Sequence, residues 1–253
     1  MAKFAPVCPA HIAKGLEEDR ALGNYHLLLA HDILKHPEEY RKLFNSMNGV
    51  KILDNSVIEL GAAVDIKVIA EAAAVVCANV IVLPDILLDG KQTVIDCKKA
   101  YVEWRPILDK ALGSSNWSYM IVPQGKTRAE FAECAEAFAD LAYIGWWGIP
   151  RNYNIHGLGS RRDAIDICTA IDPQNEIHLL GFSDDIVDDV LSACKDEVSG
   201  IDSAVPIRAA SAGMRMSMNL PELGKRGDWW DDPKTTYDQQ MATNCSLIRN
   251  WIA

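Results

Sequence analysis

Three aspartates and one glutamine each sit at the end of a short apolar run. Asp54 follows Lys51–Leu53, Asp85 follows Val80–Pro84, Gln124 and Gly125 follow Tyr119–Pro123, and Asp202 closes Val198–Asp202. The run Tyr143–Gly148 contributes Gly145 and Gly148, where the missing side chain lets a ligand approach a backbone N–H. Carboxylates in this number suit proton transfer, nucleophilic attack or capture of paired N–H donors. A glutamine adds both a donor and an acceptor. An aspartate after an apolar run is ordinarily a helix N-cap. What argues for a site is that all of these residues would meet at one end of one sheet.

The elements that must position them alternate regularly. Eight strand candidates are Phe4–Val7, Tyr25–Ala30, Lys51–Leu53, Val80–Pro84, Tyr119–Pro123, Tyr143–Gly148, Ile177–Phe182 and Val198–Asp202. Most are continuous apolar runs, the pattern of strands buried on both faces. Helical periodicity fills the gaps at Asp65–Cys77, Lys91–Ala111, Thr127–Leu141 and Ser183–Cys194. Thr127 and Glu130 are spaced as a capping box. Ser183 reads as an N-cap, with Asp184 and Asp185 in the first turn, where the helix dipole favours acids. This βα alternation predicts an α/β fold, a single-domain (β/α)8 TIM-like barrel, with an open doubly wound sheet as the alternative. Residues 1–220 would form the barrel. Residues 221–253 would form a Trp-rich loop and a last helix, opened by Pro233 and ending near Ile252. In a barrel, the strand-end acids all lie at the catalytic mouth.

Composition narrows the class. The 253 residues carry 25 basic and 35 acidic side chains, a net charge of −10, with 49% hydrophobic residues. That is an ordinary globular composition, and it excludes non-specific coating of nucleic acid. Apolar stretches such as Ala72–Ala78 are too short to span a bilayer, and the N-terminus lacks the order of a signal peptide. Seven scattered cysteines without a C-x-x-C pair predict reduced thiols, a cytoplasmic location, and neither a disulfide framework nor a structural zinc.

Six segments, in order over residues 50–213, resemble tRNA-guanine transglycosylases. Ile52-Leu53-Asp54-Asn55-Ser56 is similar to their proton-transfer element, and Val82-Leu83-Pro84-Asp85 to their base-recognition element. Ile121-Val122-Pro123-Gln124-Gly125 resembles their I-V-Q-G-G segment, and Tyr143–Gly148 occupies the place of their Gly-Gly-Leu loop. Leu180-Gly181-Phe182-Ser183-Asp184-Asp185-Ile186-Val187 resembles their P-D-D-I-V stretch. Gly200–Arg208 resembles the segment carrying their nucleophilic aspartate. Two departures stand out. The loop Asp54–Glu59 differs from their D-S-G-G-F-Q, and their C-terminal zinc site is absent, with Cys245 alone in that region. A short chain without that zinc looks more like the phage-encoded branch, which exchanges guanine in DNA for a 7-deazaguanine.

The resemblance implies base exchange with retention, in two displacements, with Asp202 as nucleophile and Asp54 as general acid/base. It implies Asp85 as acceptor for the guanine edge, Gln124 as donor to O6, and Gly125, Gly145 and Gly148 as backbone contacts. No cofactor or metal is required. DNA is the favoured polymer, tRNA the alternative, and an oligomer or partner protein is left open. If phage-encoded, the protein would act in the host cytoplasm. The target base must be flipped out of its stack, and Trp146, Trp147, Trp229 and Trp230 are candidates to stack on it or to pack the mouth. Arg151, Arg161, Arg162, Arg208, Arg215, Lys225 and Arg226 follow the sixth and eighth strands and are candidates for phosphate contacts. His26, His31 and His36, spaced by five, do not match a zinc motif. They read as structural, as does His178, placed early in its strand and away from the mouth; His156 lies in a Gly-rich loop. A non-catalytic homologue is another reading. A barrel lyase or aldolase is disfavoured by the lack of a strand-end Lys or His cluster.

Overall fold

The computed structural model describes all residues except 57–59, 62–63, 115, 152, 154–156, 184, 221–222, 224–229 and 231–234. His156, Trp229, Lys225, Arg226, Asp184, Pro233 and part of the Asp54–Glu59 loop therefore lie outside or partly outside the described residues. Eight strands form one parallel sheet: β1 (Lys3–Pro6), β2 (Tyr25–Leu29), β3 (Val50–Asp54), β4 (Val80–Val82), β5 (Ser118–Ile121), β6 (Ile144–Pro150), β7 (Glu176–Leu180) and β8 (Val198–Ser203). They are ordered β1-β8-β7-β6-β5-β4-β3-β2, and the edge strands β1 and β2 pack side by side. The sheet is thus a nearly closed barrel rather than an open doubly wound sheet.

The helices, among the described residues, are α1 (Ala10–Glu18), α2 (Ala30–Lys35), α3 (Pro37–Phe44), α4 (Ile66–Val76), α5 (Gly90–Leu112), α6 (Arg128–Glu136), α7 (Arg161–Ile171), α8 (Ile186–Ala193), α9 (Val205–Ser211) and α10 (Gln239–Ile252). Side-chain caps fix several of their starts. Asp65 accepts from Lys67 N–H, Asp89 from Gln92 N–H and Thr127 from Glu130 N–H. Glu130 reaches back to the N–H of Lys126, one residue short of a full capping box. Ser160 and Asp163 do form one. α8 is capped by Asp185, whose carboxylate accepts from Asp188 N–H; Ser183 instead binds the buried Asp189. The last helix begins only at Gln239, capped by Asp238.

Alternation along the strands divides the interior in two. Phe4, Leu28, Leu53, Ile81, Tyr119, Ile121, Trp147, Ile149, Ile177, Leu179 and Ile201 join the core between strands and helices. Ala5, Val7, Tyr25, Leu27, Leu29, Ile52, Val80, Val82, Met120, Val122 and Trp146 fill the lumen. Two glycines make room there. A Cβ on Gly200 would lie 2.4 Å from the Tyr25 ring, and one on Gly148 2.9 Å from Val122. Large lumen side chains opposite missing ones are how a small barrel fills its interior.

The carboxyl ends of β6 and β7 are tied by one buried cation. Arg161, fully buried, donates from Nη1 to Asp189 Oδ1 (2.8 Å) and the Gly181 carbonyl (2.7 Å). Its Nη2 donates to the carbonyls of Ile149 (2.7 Å) and Leu180 (2.9 Å). The expected phosphate contact by Arg161 is therefore corrected: the guanidinium is an internal brace, inaccessible to a polymer. Its planar fork spreads five donors over two terminal nitrogens and Nε, a span that the single ammonium of a lysine cannot cover. Breaking a buried pair leaves an uncompensated charge. Arg161→Met is expected to cost about 3–5 kcal/mol of unfolding free energy in urea titration, and Arg161→Lys a smaller part of that. A loss below about 1 kcal/mol for Arg161→Met would refute the brace.

Candidate active site

Asp54, Gln124 and Asp202 share the parity of the lumen-facing residues on their strands. Asp54 is two residues beyond Ile52, Gln124 two beyond Val122, and Asp202 two beyond Gly200. All three sit at the carboxyl end of the barrel. Register places Asp202 beside Ala5 of β1 and Asp54 beside Leu29 of β2, so the two acids flank the β1/β2 seam from opposite sides.

Asp202 is buried. Its Oδ1 accepts from His178 Nε2 (3.0 Å) and from the N–H of Gly181 (3.0 Å). Oδ2 has no hydrogen bond among the described residues. His178 in turn shares a 2.8 Å hydrogen bond, through Nδ1, with the hydroxyl of Tyr25. His178 lies mid-strand on the lumen side, and it reaches up to the acid. Its placement away from the mouth is corrected accordingly. Gly181, at φ +65°, is in a conformation that favours glycine, and it links Asp202 to the brace: its N–H holds Asp202 while its carbonyl is held by Arg161.

Asp85 is also buried and forms a second cluster. Gln124 Nε2 donates to its Oδ2 at 2.8 Å, and Asn55 Nδ2 approaches its Oδ1 at 3.4 Å. Asn55 also donates to the Leu83 carbonyl at 3.0 Å, cross-linking the ends of β3 and β4. Asn55 thus has a structural use. Gln124 Oε1 accepts from Leu88 N–H (3.2 Å), so the amide is oriented at both ends. Burial pushes the Asp85 carboxyl up to about 6, against the opposing pull of the Asn55 and Gln124 donors. Asp54 accepts from the N–H of Ser56 at 2.8 Å and is only half-buried.

The remaining expected residues divide sharply. Gly125 is pressed under the start of α6, where a Cβ would lie 2.5 Å from the Phe131 nitrogen. Gly148 lies inside the lumen. Gly145 does not reach the mouth: β6 runs on to Pro150, so Gly145 is near its amino end. Trp147 is fully buried on the helix side of β6, and Trp146 is buried on the lumen side, so neither ring offers a surface to nucleic acid. Trp230, partly buried, packs against the lumen cluster. Arg151 is exposed next to Gly181, and Arg162 is half exposed beside Asp188. Arg208 donates to the Leu223 carbonyl at 3.0 Å, pinning the tail to α9.

Surface grooves of about 410 and 380 Å³ lie over α10 and beside α9, and neither touches Asp54, Asp85 or Asp202. Convergent chemistry, not cavity size, locates the site. Among the described residues, no group of three or more His, Cys, Asp or Glu is placed to hold a metal ion, and no helix is long and apolar enough to cross a membrane.

No protein-family model matches the sequence, and no curated protein matches it. Solved structures do. The tryptophan synthase complex of Pyrococcus furiosus is similar with a TM-score of 0.53 at 9% identity, over 99% of this chain and 96% of that one. The IOLI protein with a bound zinc atom gives 0.52 at 12% identity, over 99% and 98%. An HpcH/HpaI aldolase/citrate lyase family protein from Burkholderia cenocepacia gives 0.51 at 10% identity, over 84% and 91%. At this identity the likeness establishes the fold alone: the chain is a TIM barrel.

Proposed function

We propose that the protein exchanges guanine in DNA for a 7-deazaguanine, through a covalent ester between Asp202 and the anomeric carbon. The observation that carries this reading is the Asp202 carboxylate, buried at the barrel mouth with one oxygen held by two donors and the other left without one among the described residues. In the first displacement a lone pair of Asp202 attacks the anomeric carbon. The glycosidic C–N bond breaks, its electron pair passes to guanine, and protonated Asp54 supplies the proton. In the second, the incoming base gives its ring proton to Asp54 and attacks the same carbon, and Asp202 leaves as carboxylate. Atoms and protons balance over the cycle.

Asp85 accepts the adjacent N–H donors of the guanine edge, which 7-deazaguanines share. Gln124 orients that carboxylate, and its remaining Nε2 hydrogen is available for the base oxygen. Arg151 and Arg162, at the ends of β6 and α7 that face the mouth, are exposed cations among the described residues that would meet a phosphate backbone. A Schiff-base aldolase would need a lysine at the mouth. Lys51 is the buried lysine among the described residues, and its Nζ donates to the carbonyls of Phe44 and Val76, on the helix side.

Labelled guanine, supplied with duplex DNA and with tRNA in parallel, should enter DNA. Asp202→Ala and Asp202→Asn should lower exchange by at least about 1,000-fold, and the wild type alone should trap a denaturation-resistant adduct. Label entering neither polymer, or active Asp202 variants, would overturn the reading. Label entering tRNA instead would move the substrate to that polymer.

Asp85 adds a pH signature. Its carboxylate must be ionised to accept two donors, and its raised value places the change at about 6. Binding of free guanine, measured by calorimetry, should therefore strengthen as pH rises through 6 and be about tenfold weaker at pH 5 than above pH 7. Asp85→Asn should bind weakly and without that slope. A pH-independent wild type would exclude Asp85 as the acceptor.

A further inference from the structure

We infer that Tyr25 and His178 are positioning residues which fix the imidazole in its Nε2–H tautomer and so select Oδ2 of Asp202 as the attacking oxygen. This rests on the base-exchange reading for its catalytic consequence, but its structural content stands apart from it. The three side chains form one hydrogen-bonded column in the lumen, 2.8 Å from the Tyr25 hydroxyl to His178 Nδ1 and 3.0 Å from Nε2 to Asp202 Oδ1. Tyr25 reaches from β2 across the seam to β7, passing over Gly200 of β8, where any Cβ would collide with its ring. Tyr25 and His178 are both buried, and their rings pack at 5.6 Å between centroids.

The proton order along the column follows from chemistry. A carboxylate only accepts, so Asp202 Oδ1 requires a proton on Nε2. Burial, reinforced by the charge of Asp202, pushes the Tyr25 phenol well above its usual range. The phenol therefore keeps its proton, and in the arrangement we infer it donates that proton to Nδ1 across the 2.8 Å hydrogen bond. An imidazole that accepts at Nδ1 and donates at Nε2 is neutral, and the second ring nitrogen sets the first.

A neutral donor suits an exchange reaction. Both displacements pass between the same two states of Asp202, a carboxylate and an ester whose carbonyl oxygen is Oδ1. A cationic imidazolium would bind the carboxylate too well and slow the first displacement. With no donor at all, the side chain would rotate and the departing carboxylate of the second displacement would lose support. One neutral N–H and the Gly181 amide hold Oδ1 in both states while leaving Oδ2 to the anomeric carbon. Misplacing a nucleophile by about 1 Å costs on the order of 100-fold in rate.

The test separates the two polar ends of the imidazole. In His178→Gln, the amide Nε2 stands where the imidazole Nε2 stood, and the donor to Asp202 is kept. In His178→Asn, the amide matches Nδ1, so contact with Tyr25 is kept and the donor to Asp202 is lost. Exchange kinetics should show His178→Gln within about tenfold of wild-type kcat, the worth of a single neutral hydrogen bond. His178→Asn should fall about 100-fold with KM for the free base little changed. Tyr25→Phe, which frees Nδ1 to take the proton, should fall between them. Equal losses in the Gln and Asn variants, when their urea midpoints match, would overturn the assignment. A second arm needs no activity. In protein labelled with ¹⁵N-histidine, the His178 signals, identified by their loss in His178→Gln, should show a protonated Nε2 and an unprotonated Nδ1 near neutral pH. The reverse pattern, or two protonated nitrogens, would also overturn it. An inactive wild type would defeat the base-exchange reading, and the tautomer would then decide the column alone.

Discussion

A carboxylate taken out of water must be solvated by the protein, and Asp202 shows how much of the fold that demand recruits. Its donors come from β7: the imidazole of His178 within the strand and the amide of Gly181 just past its end. The imidazole needs Tyr25 from β2, and Tyr25 needs the empty position at Gly200 of β8. The amide needs Gly181 in a left-handed conformation, and that turn is held from behind by Arg161. Arg161 in turn is neutralised by Asp189, which also caps the Ser183 turn. One carboxyl group at the mouth thus depends on residues of five elements and on the near closure of the barrel itself.

This dependence explains why charge deep in the interior is compatible with stability. An isolated buried guanidinium would be prohibitive, since desolvation exceeds any single hydrogen bond. Arg161 is instead shared among one carboxylate and three carbonyls at or just past the carboxyl ends of β6 and β7. The polar atoms left over by strand termination and the cation cancel one another's cost. The outcome is a braced rim directly behind the acid.

Much of this was readable in the sequence, and the unreadable parts share a cause. Short, mostly apolar runs gave away all eight strands, and acids at their ends marked Asp54, Asp85 and Asp202. Strand length was not legible: β6 continues through Ile149 and Pro150, so Gly145 falls at its amino end and Trp147 turns to the helix layer. Arg161 resembles any surface arginine opening a helix, because its partner Asp189 is distant in sequence. His178 was visible as a lone polar residue in an apolar strand. Its side was not, although parity offered a signal: His178 and Leu180 alternate with Ile177 and Leu179, and Tyr25 alternates with His26. What parity cannot supply is the pairing of Tyr25 with His178, which follows from barrel closure and the space at Gly200. Asn55 shows the same limit, since its cross-link from β3 to β4 exists only once those strands are adjacent.

The two buried carboxyl groups are solvated unequally, and the inequality matches the division of labour proposed for them. Asp202 receives a backbone amide and an imidazole on one oxygen, the firm support a proposed nucleophile would need. Asp85 receives two side-chain amides, one at 2.8 Å and one at 3.4 Å, and its own backbone amide, and burial outweighs them enough to raise its carboxyl to about 6. An under-solvated acceptor gains most from any ligand that brings donors. A guanine edge brings two, aligned with a single carboxylate. Fully satisfying Asp85 within the protein would lower its cost in the empty site and remove the driving force for recognition. A residue that binds should therefore be left partly unsatisfied, whereas a residue that reacts should be held, and the surroundings of Asp85 and Asp202 differ in that sense.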